Sequence, residues 1–152
     1  MTGLGAPNGS GSCHCGRVSL TVTGEPRLVS MCHCQSCRKI TGAFGLHAFF
    51  NEDQVAMAGE VVRYTYPGGS GSAMCTFFCA HCMTRVKVQP QRLKGVVFVP
   101  VGVLDEATRL TPDVEVWRSE ALCLFERQPL AQTSFETSAV GGLGAFFEPI
   151  SK

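Results

Sequence analysis

The chain has no dominant sign of charge: 13 Lys and Arg stand against 12 Asp and Glu. That balance leaves no basic footprint for nucleic acid. No polybasic or amphipathic stretch suits a membrane surface. No apolar run approaches the roughly 20 residues of a transmembrane helix. The first residues lack a basic start and an apolar core, so they do not read as a secretory signal. Residues 1–10 read instead as a flexible leader, and a cytoplasmic, reducing address is the expectation. No segment holds a helical period for a dozen residues, and no repeat recurs at solenoid or propeller spacing. Helical bundles and repeat arrays are thereby excluded.

What remains is a 152-residue chain, 45% hydrophobic, of single-domain size. Short strands separated by turns run along it, so the expected class is all-β with little helix. Arg17–Thr23 alternates apolar and polar residues. Leu28–Met31 is a short apolar strand. Ser36–Thr41 can make one helical turn, ended by Gly42. Phe44–Phe50 reads as a strand and Asn51–Asp53 as a turn. Glu60–Tyr66 is β-branched and aromatic, Pro67–Ser72 is a loop, and Cys75–Phe78 and Arg85–Val88 are further strands. Val96–Leu104 is nearly all apolar, the pattern of a central strand buried on both faces. Val114–Trp117 is a late strand. From about Glu136 the composition changes to a glycine-rich tail, 136–152, with an isolated Phe146-Phe147. The tail reads either as a loosely ordered terminus or as a ring pair docked on this or a neighbouring subunit.

Nine cysteines are a heavy load for a reduced protein, and the odd number counts against a closed disulfide framework. They fall into groups: Cys13 and Cys15; Cys32, Cys34 and Cys37; Cys79 and Cys82; and, apart, Cys75 and Cys123. Tightly spaced thiols in a reducing compartment are metal ligands more often than bridges. A Cys-x-x-Cys knuckle brings two thiolates to one ion, and a Cys-x-Cys pair does so where the chain bends. Joining Cys13 and Cys15 to Cys79 and Cys82 makes a closed four-sulfur site, structural because no position is left open. Cys32, Cys34 and Cys37 make three ligands with a fourth position free, the layout of a catalytic zinc site. Soft donors favour zinc over magnesium or calcium. Alternatives stay open for the group of three: a second structural site completed by Cys75, His33 or His47, an iron–sulfur site, or redox-active thiols. His14, His33 and His81 lie beside the cysteines as further possible ligands. His47 sits in an apolar run and reads as a pocket-lining residue. Cys75 reads as a spare or buried thiol and Cys123, between Leu122 and Leu124, as a core residue.

Three blocks carry a resemblance. Gly11-Ser-Cys-His-Cys-Gly-Arg-Val18, Cys32-His-Cys-Gln-Ser-Cys-Arg-Lys-Ile-Thr-Gly-Ala43 and Phe77-Phe-Cys-Ala-His-Cys82 resemble the glutathione-dependent formaldehyde-activating enzyme family, which also contains centromere protein V. The resemblance spans residues 11–135. It implies a β-tent fold built around zinc. It also implies a structural zinc at Cys13, Cys15, Cys79 and Cys82, and an active-site zinc at Cys32, Cys34 and Cys37. The implied reaction joins a thiol, typically glutathione, to formaldehyde, and is catalogued as a carbon–sulfur lyase read in reverse. Arg38 and Lys39, directly after the third ligand, are placed to meet a carboxylate of such a substrate, and His47 is the third substrate-side candidate. A homodimer is a possible assembly. A zinc module without enzymatic activity, carrying thiols or metal, is the alternative function. The sequence departs from the family at Met83, where glycine is usual. It departs also at Leu122-Cys-Leu-Phe125, where Pro-Trp is common, at His47, where a large aromatic is frequent, and in the added tail.

Overall fold

Two β-sheets form the body of the protein, seen in a computed structural model that describes residues 8–123, 131, 133–139 and 141–147. The smaller sheet has three strands in the order β1 (Asn8–Ser12), β2 (Ser19–Thr23) and β5 (Val55–Ala58). The larger has eight, in the order β11 (Thr133–Ser134), β10 (Val114–Val116), β3 (Leu28–Cys32), β4 (Gly45–Asn51), β9 (Val96–Pro100), β8 (Arg85–Pro90), β7 (Ala73–Cys79) and β6 (Val61–Pro67). Neighbours are antiparallel except β10, which runs parallel to both β3 and β11. The one α-helix among the described residues is α1, Gln35–Thr41. It stops where Gly42 takes a φ of 98°, a left-handed C-cap that glycine adopts without a Cβ clash. None of the described helices is long and apolar enough to cross a membrane.

The alternation of the central strands divides their side chains between two cores. Val29, Ala48, Phe50, Val97 and Val99 point to one face, where Leu20 and Val22 of β2 cover them. Leu28, Phe49, Phe98, Val88, Val114 and Val116 form the second core. Strands β3, β4 and β9 are therefore buried on both sides, as expected for Val96 onward. Each large apolar side chain so covered contributes about 1.5–3 kcal/mol. The expected strand to Leu104 ends earlier, at Pro100, and continues as a 3-10 turn over Val101–Val103. Proline has no N–H for the ladder, so pairing stops there, while Val101 and Val103 stay buried.

The reading of residues 1–10 as a leader does not hold throughout. Asn8–Ser12 pair with β2 in a five-residue antiparallel ladder. Gly11 also lets β1 lie against the Val101–Val103 turn, because a Cβ there would stand 2.4 Å from the Val103 carbonyl oxygen. Residues 1–7 lie outside the described set. The tail follows the docked reading over its described part. The Phe147 ring lies 5.7 Å from Phe49, with the Arg27 guanidinium 4.7 Å over it, and Phe146 meets Phe135 edge-on at 6.3 Å. Cys123 is not a core residue; it is exposed, because the chain leaves the sheet at the 3-10 turn Arg118–Glu120.

Met83 stands in the left-handed region at φ 58°, closing the Cys79–Cys82 knuckle through its N–H to the Cys79 carbonyl at 3.0 Å. A residue with a Cβ is strained there by about 1 kcal/mol. The side chain is 56% exposed and contributes little packing. Replacing Met83 with Gly should therefore raise the melting midpoint by roughly 2–4 °C. Calorimetry of the two proteins checks this, and a lower midpoint would show that the side chain outweighs the strain.

Candidate metal centre and cavity

The first cysteine group joins two turns. Cys13 and Cys15 lie in the β1–β2 connection, while Cys79 ends β7 and Cys82 lies in the β7–β8 turn. Their four sulfurs lie within 4.8 Å of one another. The Cys13–Cys15 and Cys15–Cys79 sulfur separations are 3.6 and 3.8 Å. Zinc–sulfur bonds of about 2.3 Å set tetrahedral edges of about 3.8 Å, so the spacing fits a zinc ion. It is far too long for a disulfide at about 2.05 Å. Backbone and hydroxyl donors already aim at the sulfurs: Val18 N–H to Cys13 at 3.2 Å, His81 N–H to Cys79 at 3.4 Å, and the Thr84 hydroxyl beside Cys82 at 3.2 Å. The Thr84 hydroxyl is the main reason the Cys82 thiol is lowered to about 5. Val18, Val86 and Cys79 pack together beneath the group.

The second group is built by β3 and the start of α1. Cys32 ends β3. Cys34 caps α1, its sulfur accepting from the Cys37 N–H at 3.4 Å. Cys37 lies in the first turn of α1, so all three sulfurs converge within 4.8 Å. Hydrogen bonds from Cys32 and then Cys37 hold the Cys34 thiol down, to about 2. The hydrogen bond with Cys34 leads in pushing Cys32 well above the ordinary thiol range. At Cys37 a hydrogen bond with Cys32 pulls down, but Cys34 and burial outweigh it and raise the thiol to about 12. Without a cation the group thus favours a single thiolate. Three thiolates together call for a metal ion, and three soft donors suit zinc. No fourth Cys, His or carboxylate atom joins this group among the described residues.

The histidines between the cysteines point elsewhere. His33 turns away from the sulfurs, its Nε2–H donating to Glu115 Oε1 at 2.6 Å, and Arg118 Nη1 donates to the same oxygen at 3.2 Å. His81 contacts Arg17 at 3.2 Å. Cys75 is half-buried on β7, apart from both groups.

Of the two groups, only the group of three opens on a cavity, a space of about 520 Å³. The cavity lies on the face of the large sheet that carries Ser30, Cys32, His47, Phe49 and Phe98. The Pro67–Ser72 loop folds over its mouth, closed by Gly68 N–H to the Ser72 carbonyl at 2.8 Å. Gly69 fits closely: a Cβ there would press on the Trp117 indole at 3.1 Å and on Cys34 Cβ at 3.2 Å, so either neighbour would have to shift by a few tenths of an ångström. Trp117 itself is held at φ 60°, a strained left-handed backbone in the cavity wall.

Of the substrate-side candidates, His47 lines the cavity, while Arg38 and Lys39 do not. Arg38 reaches back to the Glu120 carbonyl at 3.4 Å, and Lys39 is exposed on α1. Two arginines line the cavity: Arg92, which is exposed, and the buried Arg85, which the sequence offers only as part of a strand. Its Nη1 donates to His47 Nε2 at 3.3 Å, its Nη2 to the Tyr66 hydroxyl at 2.7 Å and its Nε to Thr76 Oγ1 at 2.7 Å. Because Nε2 accepts, His47 carries its proton on Nδ1. Burial first, and the Arg85 charge second, lower its pKa to about 3, so the ring is neutral. Burial pushes Tyr66 up to about 12, so it stays a phenol.

Residues 8–120 match the family model of the glutathione-dependent formaldehyde-activating enzyme. The chain belongs to that family. Family membership and the two cysteine groups together point to zinc binding and a formaldehyde-activating type of function. No curated protein matches the chain. A crystal structure of a Rhodobacter sphaeroides protein, a structural-genomics target, is similar at 23% identity over 64% of this chain and 88% of that one, with a TM-score of 0.49.

Proposed function

We propose that the protein is a zinc-dependent carbon–sulfur lyase that forms and cleaves thiol–aldehyde adducts of the S-(hydroxymethyl)glutathione type. The observation that carries this reading is the division of the cysteines: four form a group away from the cavity, and three face it. Cys13, Cys15, Cys79 and Cys82 would hold a structural zinc, and Cys32, Cys34 and Cys37 a catalytic one. The second ion would supply a Lewis-acid position able to lower the pKa of a thiol or polarise a carbonyl oxygen.

The reaction forms one sulfur–carbon bond and breaks the π bond of the aldehyde, and the thiol proton ends on the new hydroxyl oxygen. A free thiol is mostly protonated at neutral pH, so the site must favour the thiolate. Arg85 supplies a fixed positive charge on the cavity floor. Tyr66 keeps its hydroxyl hydrogen and can donate it to an oxygen in the cavity. The Pro67–Ser72 loop and Trp117 screen the cysteine group from water. A cytoplasmic setting, where glutathione is reduced, suits this chemistry.

Thiols add to formaldehyde unaided, so the test is a rate above background. Zinc-loaded protein with formaldehyde and glutathione should form adduct well above the uncatalysed rate. Cys34→Ala should return the rate to background and release one zinc per chain while the fold persists. Wild-type rates equal to background across several thiols would leave a metal or thiol carrier as the function.

A further inference from the structure

The floor of the cavity holds a cation without an anion. Arg85 is 9% exposed, and no carboxylate meets it among the described residues. Its three partners, Thr76, Tyr66 and His47, are neutral. A buried charge left in that state is costly, by several kcal/mol. A guanidinium has five N–H groups. Three are engaged, which leaves one N–H on each terminal nitrogen for a further acceptor such as a carboxylate.

Other donors gather beside it. The Tyr66 hydroxyl accepts from Arg85 and has its own hydrogen unspent. Ser30, 1% exposed, also lines the cavity, and its Oγ has no hydrogen-bond partner among the described residues. Ser30 lies directly opposite His47 in the β3–β4 register, so the two side chains share the cavity face. The His47 nitrogen that faces Arg85 is already taken. This corner offers hydrogen-bond donors from three side chains and, among the described residues, no carboxylate to receive them.

The corner also adjoins the cysteine group. A Cβ on Gly45 would stand 2.5 Å from His47 Cε1 and 3.1 Å from Cys37 Sγ. The bare backbone at Gly45 lets the imidazole edge and the sulfur come together. Arg85 lies on the Nε2 side of the same ring, so about one imidazole separates the guanidinium from the Cys37 thiol.

We propose that Arg85, Tyr66 and Ser30 form a carboxylate subsite beside the cysteine centre, and that the ligand it selects is a small mercapto acid with its carboxylate two or three bonds from the sulfur. The thiol end of this assignment rests on the function proposed above; the carboxylate end does not. Glutathione has no free carboxylate so near its sulfur, so it would use this corner less. The rival counter-ion for Arg85 is the metal–thiolate group itself, since the charge is felt at Cys37.

The experiment uses full-length zinc-loaded protein, Arg85→Gln and Tyr66→Phe. Equilibrium binding of 3-mercaptopropionate is compared with that of the neutral thiol 2-mercaptoethanol, and zinc content is measured in each protein. Charge-assisted hydrogen bonds of this kind predict that R85Q weakens 3-mercaptopropionate by about tenfold or more. Binding of 2-mercaptoethanol, which feels Arg85 only through its thiolate, should weaken by a factor at least about fivefold smaller. Y66F should shift the ratio in the same direction by about threefold. Equal losses for both thiols, or loss of zinc from R85Q with the ratio unchanged, would make Arg85 a counter-ion of the metal centre and overturn the subsite. Propionate, which has no thiol, separates the two readings. It should raise the melting midpoint of wild-type protein and not of R85Q, whether or not Cys32, Cys34 and Cys37 hold metal. No propionate effect on the wild type would overturn the subsite alone.

Discussion

Replacing Cys79 with Ser is expected to leave the chain without a cooperative melt. Cys79 is 1% exposed, and its sulfur lies 3.8 Å from that of Cys15. The group it belongs to ties the β1–β2 turn of the small sheet to the β7–β8 turn of the large one. Structural zinc contributes about 10–16 kcal/mol of apparent binding energy in zinc-finger peptides. A whole domain is stable by about 5–15 kcal/mol. Weakening one of four zinc bonds, and leaving three crowded thiols without their ion, therefore removes a share comparable with the total. Circular dichroism melts of wild type and C79S check this, as does wild type heated with a chelator. A C79S midpoint within a few degrees of wild type would mean that the group holds no structural metal.

Replacing Glu115 with Ala is expected to cost about 3–5 kcal/mol, because it breaks a fully buried pair and strands its partners. Glu115 is 0% exposed and receives His33 at 2.6 Å and Arg118 at 3.2 Å. His33 sits between two members of the cysteine group, and its backbone N–H is tied to the Val116 carbonyl at 3.0 Å. Loosening that residue loosens Cys32 and Cys34 together. E115A should thus lose stability and bind metal at the group of three more weakly, while the group of four keeps its ion. Denaturant melts with metal analysis of each variant provide the check. A stability loss below about 1 kcal/mol would mean that the pair adds nothing beyond its own desolvation cost.

These two sites differ in how far the sequence reveals them. The cysteine groups are legible because ligand geometry is partly local: a knuckle spans four residues, and its spacing survives in the chain as written. Strands β3, β4 and β9 are legible because burial on both faces leaves an unbroken apolar run. Glu115 is hidden by the same logic. Between Val114 and Val116 it has the pattern of a solvent-facing strand residue, and only the parallel pairing of β10 with β3 brings His33 across to it. Arg85 is hidden likewise, since Arg85–Val88 alternates like a half-exposed strand while the cavity closes over the arginine. Arg38 and Lys39 show the converse: adjacency to a ligand along the chain placed them beside the site, but the turn of α1 carries them away from the cavity. The glycine-rich tail gives no periodic signal, and its described rings are placed by Phe49, Arg27 and Phe135, which are distant in sequence.

Metal content and sulfur coordination measured together, by elemental analysis and X-ray absorption on freshly purified reduced protein, test the division of the cysteines most directly. The expected result is two zinc ions per chain, one with four sulfur ligands and one with three sulfurs and an exchangeable lighter atom, and C34A should lose only the second. A single zinc per chain with Cys32, Cys34 and Cys37 free, or a second zinc saturated by four protein ligands, would contradict it.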